Sequence, residues 1–156
     1  MDGGWPRRLN GRMSDAIRPA LRSVVLDTTD PHRLAEFYHQ LLGYPYGPEF
    51  EPPTGDEAGD EVDWVLLEIS PGGPHLAFQQ VDELPESTWP TTDVPQQMHL
   101  DLTVPDREVL EEQHRRALAL GARLLLDDSD DPEEPIYIYA DPDGHPFCIF
   151  VKAGSS

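Results

Sequence analysis

Two ionisable side chains of complementary type lie two residues apart in a segment that alternates between polar and apolar residues. In segment 97–104 (QMHLDLTV), His99 and Asp101 are separated by a leucine, and such alternation is typical of a β-strand with one buried face. Residues two apart on a strand share a face and lie about 7 Å apart. A nearby carboxylate raises the basicity of an imidazole, so the pair has the chemistry of a general base. The alternatives are that the pair binds a polar ligand, or that it only satisfies its own hydrogen bonds and those of nearby backbone.

The single cysteine of the chain is a second candidate for chemistry. Cys148 would become a nucleophile if His99 lay within hydrogen-bonding distance. Its neighbours Phe147, Ile149 and Phe150 favour the alternative that it is a small buried hydrophobic residue. One cysteine allows no intrachain disulfide, which fits a reducing compartment, and we expect a cytoplasmic protein.

Strand alternation also predicts which side chains face a ligand. In segment 97–104 the apolar residues, Met98 among them, are expected to lie under helices, and the polar residues are expected on the opposite face. Trp89 lies in a proline-rich stretch and is expected either to cover this ligand face or to pack on a second subunit. Besides His99 and Asp101, the predicted ligand-binding residues are Ser23, Val25, Asp27, Trp89, Gln97, Thr103, Cys148 and Phe150.

The elements that must position these residues occur twice in the same order. In the first half, a run rich in β-branched residues precedes a helix that begins at Asp30-Pro31 and ends at Gly43. A capping aspartate, an early proline and a terminal glycine are the usual signals of helix ends. The second half repeats the pattern with Asp106 and Gly121. The predicted strands lie at residues 21–27, 64–69, 75–81, 97–104, 123–126, 136–139 and 147–151.

Equivalent positions in the two halves are separated by a nearly constant number of residues. The offset is 76 for the aspartates that start the helices, 78 for the glycines that end them, and 71 for the turn glycines Gly73 and Gly144. Such an offset, with the same order of elements, indicates an internal duplication. We therefore predict two β-α-β-β-β modules, module one at residues 21–81 and module two at residues 97–152, joined by a linker at residues 82–96.

Four stretches of the chain resemble the vicinal-oxygen-chelate superfamily, which includes glyoxalase I, extradiol dioxygenases, fosfomycin-resistance enzymes and bleomycin-binding proteins. They are VVLDTTDPHRLAEFYHQLLGY, MHLDLTVPD, ALALGAR and YADPDGHPFCIFV. The chain is most similar to the uncharacterised glyoxalase-like branch, through Trp89-Pro90, residues 95–99 (PQQMH) and residues 144–148 (GHPFC). The resemblance covers roughly residues 21–152. It implies an α+β fold in which tandem modules form a cupped mixed sheet with the helices on its outer face.

The same resemblance identifies the positions where the superfamily holds its metal. Each module there supplies two ligands, from its first and last strands, and these positions are Ser23, Ala77, His99 and Cys148 in this chain. One imidazole and one thiol are too few protein ligands for a stable site. We therefore predict that the protein binds no metal and no other cofactor.

The charge of the chain argues against several classes of partner. Its 30 acidic residues and 11 Lys and Arg give a net charge of −19. Nucleic acids and anionic membranes are bound mainly through basic residues, so neither is an expected partner.

No window of the sequence approaches the roughly 18 to 20 apolar residues of a membrane span. We expect residues 1–20 to form a disordered leader, with Met13 as an alternative start, and residues 153–156 to form a short tail.

Three functions follow as hypotheses. The first is a glyoxalase-like protein that binds a small organic molecule in the cup of the sheet without the metal of the superfamily. The second is a small-molecule lyase, isomerase or hydrolase with His99 and Asp101 as catalytic residues. The third is a non-catalytic regulatory subunit that uses the sheet for pairing. Members of the superfamily often pair their modules between chains, so the resemblance implies a homodimer in every case, although one fold hosts many reactions.

Overall fold

A computed structural model describes residues 18–53 and 61–152. The predictions for most of the leader and for the tail therefore lie outside the described residues. Within the described ranges the elements are β1 (Ser23–Thr28), α1 (Pro31–Leu42), β2 (Trp64–Glu68), β3 (His75–Gln80), β4 (Leu100–Val104), α2 (Arg107–Leu120), β5 (Arg123–Asp128), β6 (Ile136–Ala140) and β7 (Pro146–Val151). Neither of the helices in these ranges has the length and apolar character needed to cross a membrane.

The two helices begin and end at the residues that the sequence predicts. The Asp30 side chain accepts a hydrogen bond from the backbone N–H of Arg33 at 3.1 Å, and Gly43 ends α1 with a φ of 73°. In α2 the Asp106 side chain accepts from the N–H of Val109 at 2.9 Å, and Gly121 ends the helix with a φ of 110°. A positive φ is strained for residues other than glycine, which explains why a glycine follows the last residue of each helix.

The internal duplication is visible in two mixed sheets, one formed by each module. The first has the strand order β1-β3-β2, and the second has the order β4-β7-β6-β5. In each sheet the first strand of the module runs parallel to the last strand, β1 with β3 and β4 with β7. Val25 is paired with Ala77, and Asp101 is paired with Cys148, so equivalent residues of the modules occupy equivalent register positions. The α+β class and the repeated order of elements are confirmed.

Module one is smaller than its counterpart. In place of a strand equivalent to β5 it has a single antiparallel bridge between Tyr46 and Leu67. Pro45 and Pro48 lie on either side of this bridge and have no N–H to donate, so a longer ladder cannot form there. The prediction of three strands after the helix therefore holds for module two, whereas in module one the first of them is reduced to the bridge.

The modules share one apolar core. Tyr38 of α1 packs on Phe78 of β3, with ring centroids 5.8 Å apart, and on Phe147 of β7, with centroids 6.3 Å apart. All three rings are almost completely buried. Because one helix residue contacts the last strand of both modules, the two halves are packed as a single unit.

Polar contacts join the modules at the turn between β6 and β7. The buried carboxylate of Asp143 accepts a hydrogen bond from Thr28 Oγ1 at 2.6 Å and pairs with the guanidinium of Arg33. Next to it, the Tyr38 hydroxyl donates to Asp141 at 2.7 Å. Burial raises the pKa of Asp141 above its ordinary value. The nearby His145 and the hydrogen bonds donated to this carboxylate act in the opposite direction but are outweighed. We call these contacts the intermodule clasp.

The start of β4 differs from the prediction. The strand begins at Leu100 rather than at Gln97, and Met98 is 66% exposed instead of lying under the helices. Leu100 is paired with Phe147, so the next pair in the parallel register would be His99 with Pro146. Proline has no N–H for the ladder, and the strand ends there. Alternation therefore does not apply to residues 97–99, and the prediction for Met98 is wrong.

Candidate functional site

His99 and Asp101 are in contact on the face of β4 that lies away from the helices. His99 Nε2 lies 3.1 Å from Asp101 Oδ1, and the two side chains are 50% and 59% exposed. The neighbouring Leu100 and Leu102 pack against the core on the opposite face. The pair is therefore accessible from solvent, and Asp101 is oriented by a strand whose other face is anchored in the protein, while His99 directly precedes that strand.

Cys148 lies beside the same carboxylate on the neighbouring strand. Its thiol donates to Asp101 Oδ1 at 2.9 Å, so a single oxygen contacts both the thiol and the imidazole. Burial raises the pKa of Cys148 to about 12, and the hydrogen bond to Asp101 and the negative charge of that carboxylate add to the shift. The interposed carboxylate favours the thiol over the thiolate, which is the reverse of what a cysteine nucleophile needs.

These three residues border a cavity of about 160 Å³, here called the Trp89 cavity. The Trp89 ring and the Gln96 amide border it from the linker, and Ile136 and Ile138 border it from β6. Pro146 and Phe147 also line it. The cavity thus combines an indole, a carboxylate and an imidazole with an apolar wall, which is the composition of a typical small-molecule site.

The linker that carries Trp89 is tied down on both sides. The Thr88 N–H donates to the Val94 carbonyl at 2.8 Å, and the Val94 N–H donates back to Thr88 Oγ1 at 2.9 Å. Before this turn, Glu86 lies so close to Gly144 that an added Cβ would be 2.6 Å from its side chain. The linker is therefore an ordered segment that places Trp89 over β4 and β7.

A larger cavity of about 470 Å³ lies between the modules and is here called the intermodule cavity. It holds three of the predicted ligand-binding residues, Val25, Asp27 and Gln97, together with the exposed Met98. His145 Nε2–H donates to the Asp27 carbonyl at 2.7 Å and closes one side. Gln96 and Pro146 line both cavities, so the two spaces are neighbours.

The predicted site residues are accordingly divided between places in the fold. Trp89, His99, Asp101 and Cys148 meet at the Trp89 cavity. Ser23, Thr103 and Phe150 line neither cavity. Ser23 lies at the start of β1 opposite His75, Thr103 borders a depression beside both helices, and Phe150 is paired with Thr103 and Ile136. The sequence analysis placed all of these residues on one ligand face, and the structure brings together only some of them.

The sequence analysis missed five residues that line the Trp89 cavity, namely Gln96, Ile136, Ile138, Pro146 and Phe147. Ile136 and Ile138 alternate with the buried Tyr137 and Tyr139 in β6, and applying the alternation rule to this strand would have identified them. Gln96 lies outside any periodic segment, and no local pattern marks it. Its position depends on the path of the linker.

The residues at the four inherited metal positions do not fit a metal ion. Ala77 has no donor atom and is completely buried, and the Cys148 thiol is held in its protonated form beside Asp101. A thiol must lose its proton to act as a metal ligand. Among residues 18–53 and 61–152, moreover, no three His, Cys, Asp or Glu side chains are arranged to hold an ion.

Comparisons with known proteins agree with this architecture. Residues 23–150 match the family model of the glyoxalase-like domain. Solved structures with the same fold include the following two. A glyoxalase/bleomycin resistance protein/dioxygenase family enzyme from Burkholderia phytofirmans has a TM-score of 0.62 at 17% identity, covering 85% of this chain and 98% of its own. A glyoxalase-related enzyme from Fulvimarina pelagi has a TM-score of 0.59 at 21% identity, covering 85% and 87%.

Similarity at this level of identity concerns the fold alone. No curated protein matches the chain. Any activity of this chain must therefore be argued from its own residues.

Proposed function

The chain belongs to the glyoxalase-like domain family of the vicinal-oxygen-chelate superfamily, and we propose that it binds a small organic molecule in the Trp89 cavity without the metal ion of that superfamily. One observation carries this proposal. The Trp89 ring, the His99–Asp101 pair and the apolar face of β6 converge on one cavity of about 160 Å³. Aromatic and aliphatic walls with a few polar groups are the usual lining of a binding site.

The order of the linker supports the same proposal. Trp89 is held by a hydrogen-bonded turn rather than by the core, and it remains partly exposed above the cavity. An indole held in this way supplies a flat apolar surface with little loss of conformational entropy when a ligand binds.

A thermal-shift screen of small organic molecules tests the proposal. A ligand that binds only the folded state stabilises it by about 2.7 kcal/mol at a concentration of one hundred times its Kd. We expect some compounds to raise the Tm of the wild type and to lose most of that effect on Trp89→Ala. Leu118→Ala, which removes an exposed apolar side chain from α2, is the matched control and should respond like the wild type. The proposal fails if no compound stabilises the protein, or if Trp89→Ala responds as strongly as the control.

Acid–base catalysis is a second candidate, because His99 Nε2 lies 3.1 Å from Asp101 Oδ1 at the opening of the cavity. A carboxylate in this position orients an imidazole, which is the arrangement of a general base. Compounds found in the screen can be incubated with the protein and analysed for products by mass spectrometry. Under this hypothesis His99→Ala abolishes turnover. Under the binding hypothesis there is no product, and His99→Ala changes only the affinity.

Pairing of two copies is compatible with either function. Strand β5 is the last strand of its sheet, and its Leu124 and Leu126 are 38% and 43% exposed. An edge strand with exposed leucines is a surface on which another chain can add. Light scattering after size-exclusion chromatography would give the mass of the particle. A monomer at micromolar concentration would eliminate both the homodimer and the hypothesis of a purely dimerising regulatory subunit.

A further inference from the structure

Resting on the proposed function, we propose that the ligand of the Trp89 cavity is an organic cation that carries an N–H donor, with an amine on a small apolar or aromatic body as the simplest form. Three features of the cavity support this choice: its charge, its free acceptor atoms and its indole.

The charge of the lining selects against anions. Among the described residues that line the Trp89 cavity there is no lysine or arginine, and Asp101 is the one acidic side chain. The lining of the neighbouring intermodule cavity also lacks lysine and arginine and includes Asp27 and Asp143. With a net charge of −19 on the whole chain, the potential at the opening concentrates cations and repels carboxylates and phosphates.

The hydrogen-bonding groups of the cavity require a donor from the ligand. Asp101 Oδ1 is occupied by both His99 and Cys148, whereas Asp101 Oδ2 has no hydrogen bond to any residue in the described ranges. Gln96 Oε1 is a buried acceptor without a partner among those residues, and Gln96 lines the cavity. A buried acceptor that has lost its water is unfavourable until a donor reaches it. A protonated amine has three N–H donors, which is more than the number of these free acceptors.

The indole and the apolar wall determine the rest of the ligand. The face of a tryptophan ring attracts a cation more strongly than that of any other aromatic residue. Ile136 and Ile138 can bury only an apolar group. A neutral alcohol would use the apolar wall and one acceptor but would lack the attraction to Asp101 and Trp89. A carboxylate of the same size would face Asp101 and Gln96 Oε1 without a partner for its own charge.

Three probes with the same phenyl group test the inference, namely phenethylamine, 2-phenylethanol and phenylacetate. Their affinities are measured by ligand-observed NMR on the full chain at about pH 8, where free imidazole is uncharged. We expect phenethylamine to bind at least about tenfold more tightly than 2-phenylethanol, and phenylacetate to bind more weakly than either. The preference for the amine should decrease as salt is raised.

Two variants locate the effect in the cavity. Asp101→Asn keeps the size of the side chain but removes its charge, and it should lose the preference of the amine over the alcohol. Asp128→Asn is the matched control, because Asp128 is an exposed residue of β5 that lines neither cavity, and it should keep that preference. Gln96→Leu should weaken the binding of the amine more than that of the alcohol. A thermal melt of each variant, compared with that of the wild type, shows that the fold is intact.

The possible failures are distinguishable. If 2-phenylethanol or phenylacetate binds as tightly as phenethylamine, or if Asp101→Asn keeps the preference, the inference is wrong while the proposed function stands. If none of the three probes binds, the inference is also wrong. In that case the proposed function is decided separately, by whether the thermal-shift screen finds any ligand whose effect depends on Trp89.

Discussion

One carboxylate oxygen has two neighbours of opposite chemical behaviour. Asp101 Oδ1 lies 2.9 Å from the Cys148 thiol and 3.1 Å from His99 Nε2. The negative charge favours the protonated form of the thiol. This means loss of nucleophilicity, because only the thiolate attacks. For the imidazole the carboxylate is a polar partner that fixes the orientation of the ring. The same residue thus suppresses one candidate reaction and supports another.

The reactivity of Cys148 provides a direct test of this arrangement. With the pKa of the thiol raised to about 12, only about one thiol in ten thousand is ionised at pH 8. Asp101→Asn removes the charge that opposes ionisation, so the pKa should fall and alkylation by iodoacetamide should accelerate roughly tenfold for each unit of the fall. Mass spectrometry measures the rate. Asp128→Asn serves as the control and should react like the wild type, and an unchanged rate in Asp101→Asn would show that the carboxylate does not determine the reactivity.

Residues in periodic segments were predictable from the sequence, and those outside them were not. The placement of Asp101 and Cys148 on the face away from the helices follows from alternation, because Leu102 and Ile149 next to them are apolar and pack in the core. Gln96 precedes any regular element. Its position follows from the path of the linker, which a turn between Thr88 and Val94 holds, and no propensity of the segment itself indicates that its side chain lines both cavities.

For helices and strands, the sequence predicted those boundaries whose signal lies within a few residues of the boundary itself. Both helices end where capping residues predict, since an N-cap acts within three residues of itself. The start of β4 depended instead on Pro146, which lies 47 positions away from His99 in the chain and opposite it in the register. The strand after α1 that is reduced to a bridge in module one had a local signal in Pro45 and Pro48, which the repeat pattern outweighed in the sequence analysis. The contact between Arg33 and Asp143 joins residues 110 apart, and no sequence pattern indicates it.

The intermodule clasp should contribute measurably to stability. Thr28→Val keeps the shape of a completely buried side chain but removes its hydrogen bond to Asp143 and the one that Thr28 accepts from the N–H of Asp30. Since hydrogen bonds to charged groups contribute about 1.5–3 kcal/mol, the free energy of unfolding should fall by about 2–3 kcal/mol in urea titrations. The neighbouring Thr29 is exposed, and Thr29→Val should change the free energy by about 0.5 kcal/mol or less. Equal effects of the two variants would mean that the hydrogen bonds of Thr28 contribute nothing to stability.

The whole molecule combines a shared interior with a strongly acidic exterior. Tyr38, Phe78 and Phe147 join both modules in one core, so the halves should unfold together in a single transition. Both cavities lie outside this core: the Trp89 cavity lies between the linker and the second sheet, and the intermodule cavity lies where residues of both modules and the linker meet. Ligand binding there does not require the core to open, which suits a site whose walls are already formed.

The excess of negative charge should make stability depend on salt. The 30 acidic residues face 11 lysines and arginines, and in the described ranges only Arg33 and Arg123 form ion pairs with carboxylates. The remaining charges repel one another over distances that salt shortens, from about 30 Å at 0.01 M to about 10 Å at 0.1 M. Because the compact state brings these charges closer together than the unfolded chain does, screening should favour folding. We expect the Tm to rise as NaCl is increased from about 0.01 M to about 0.5 M. The rise should be about 2–4 °C for each kcal/mol that screening adds to the free energy of unfolding.

A variant of lower charge separates screening from the general effect of salt on hydrophobic burial. Glu112→Lys combined with Asp130→Lys changes two exposed residues without side-chain hydrogen bonds in the described part of the chain, and it lowers the net negative charge by four. If self-repulsion is the cause, this variant has the higher Tm at low salt and gains less from added NaCl, so that the two melting curves converge at high salt. Salt that acts through hydrophobic burial would raise the Tm of both proteins by the same amount. A parallel rise, or a Tm that falls as NaCl is added, would show that charge repulsion does not limit the stability of this fold.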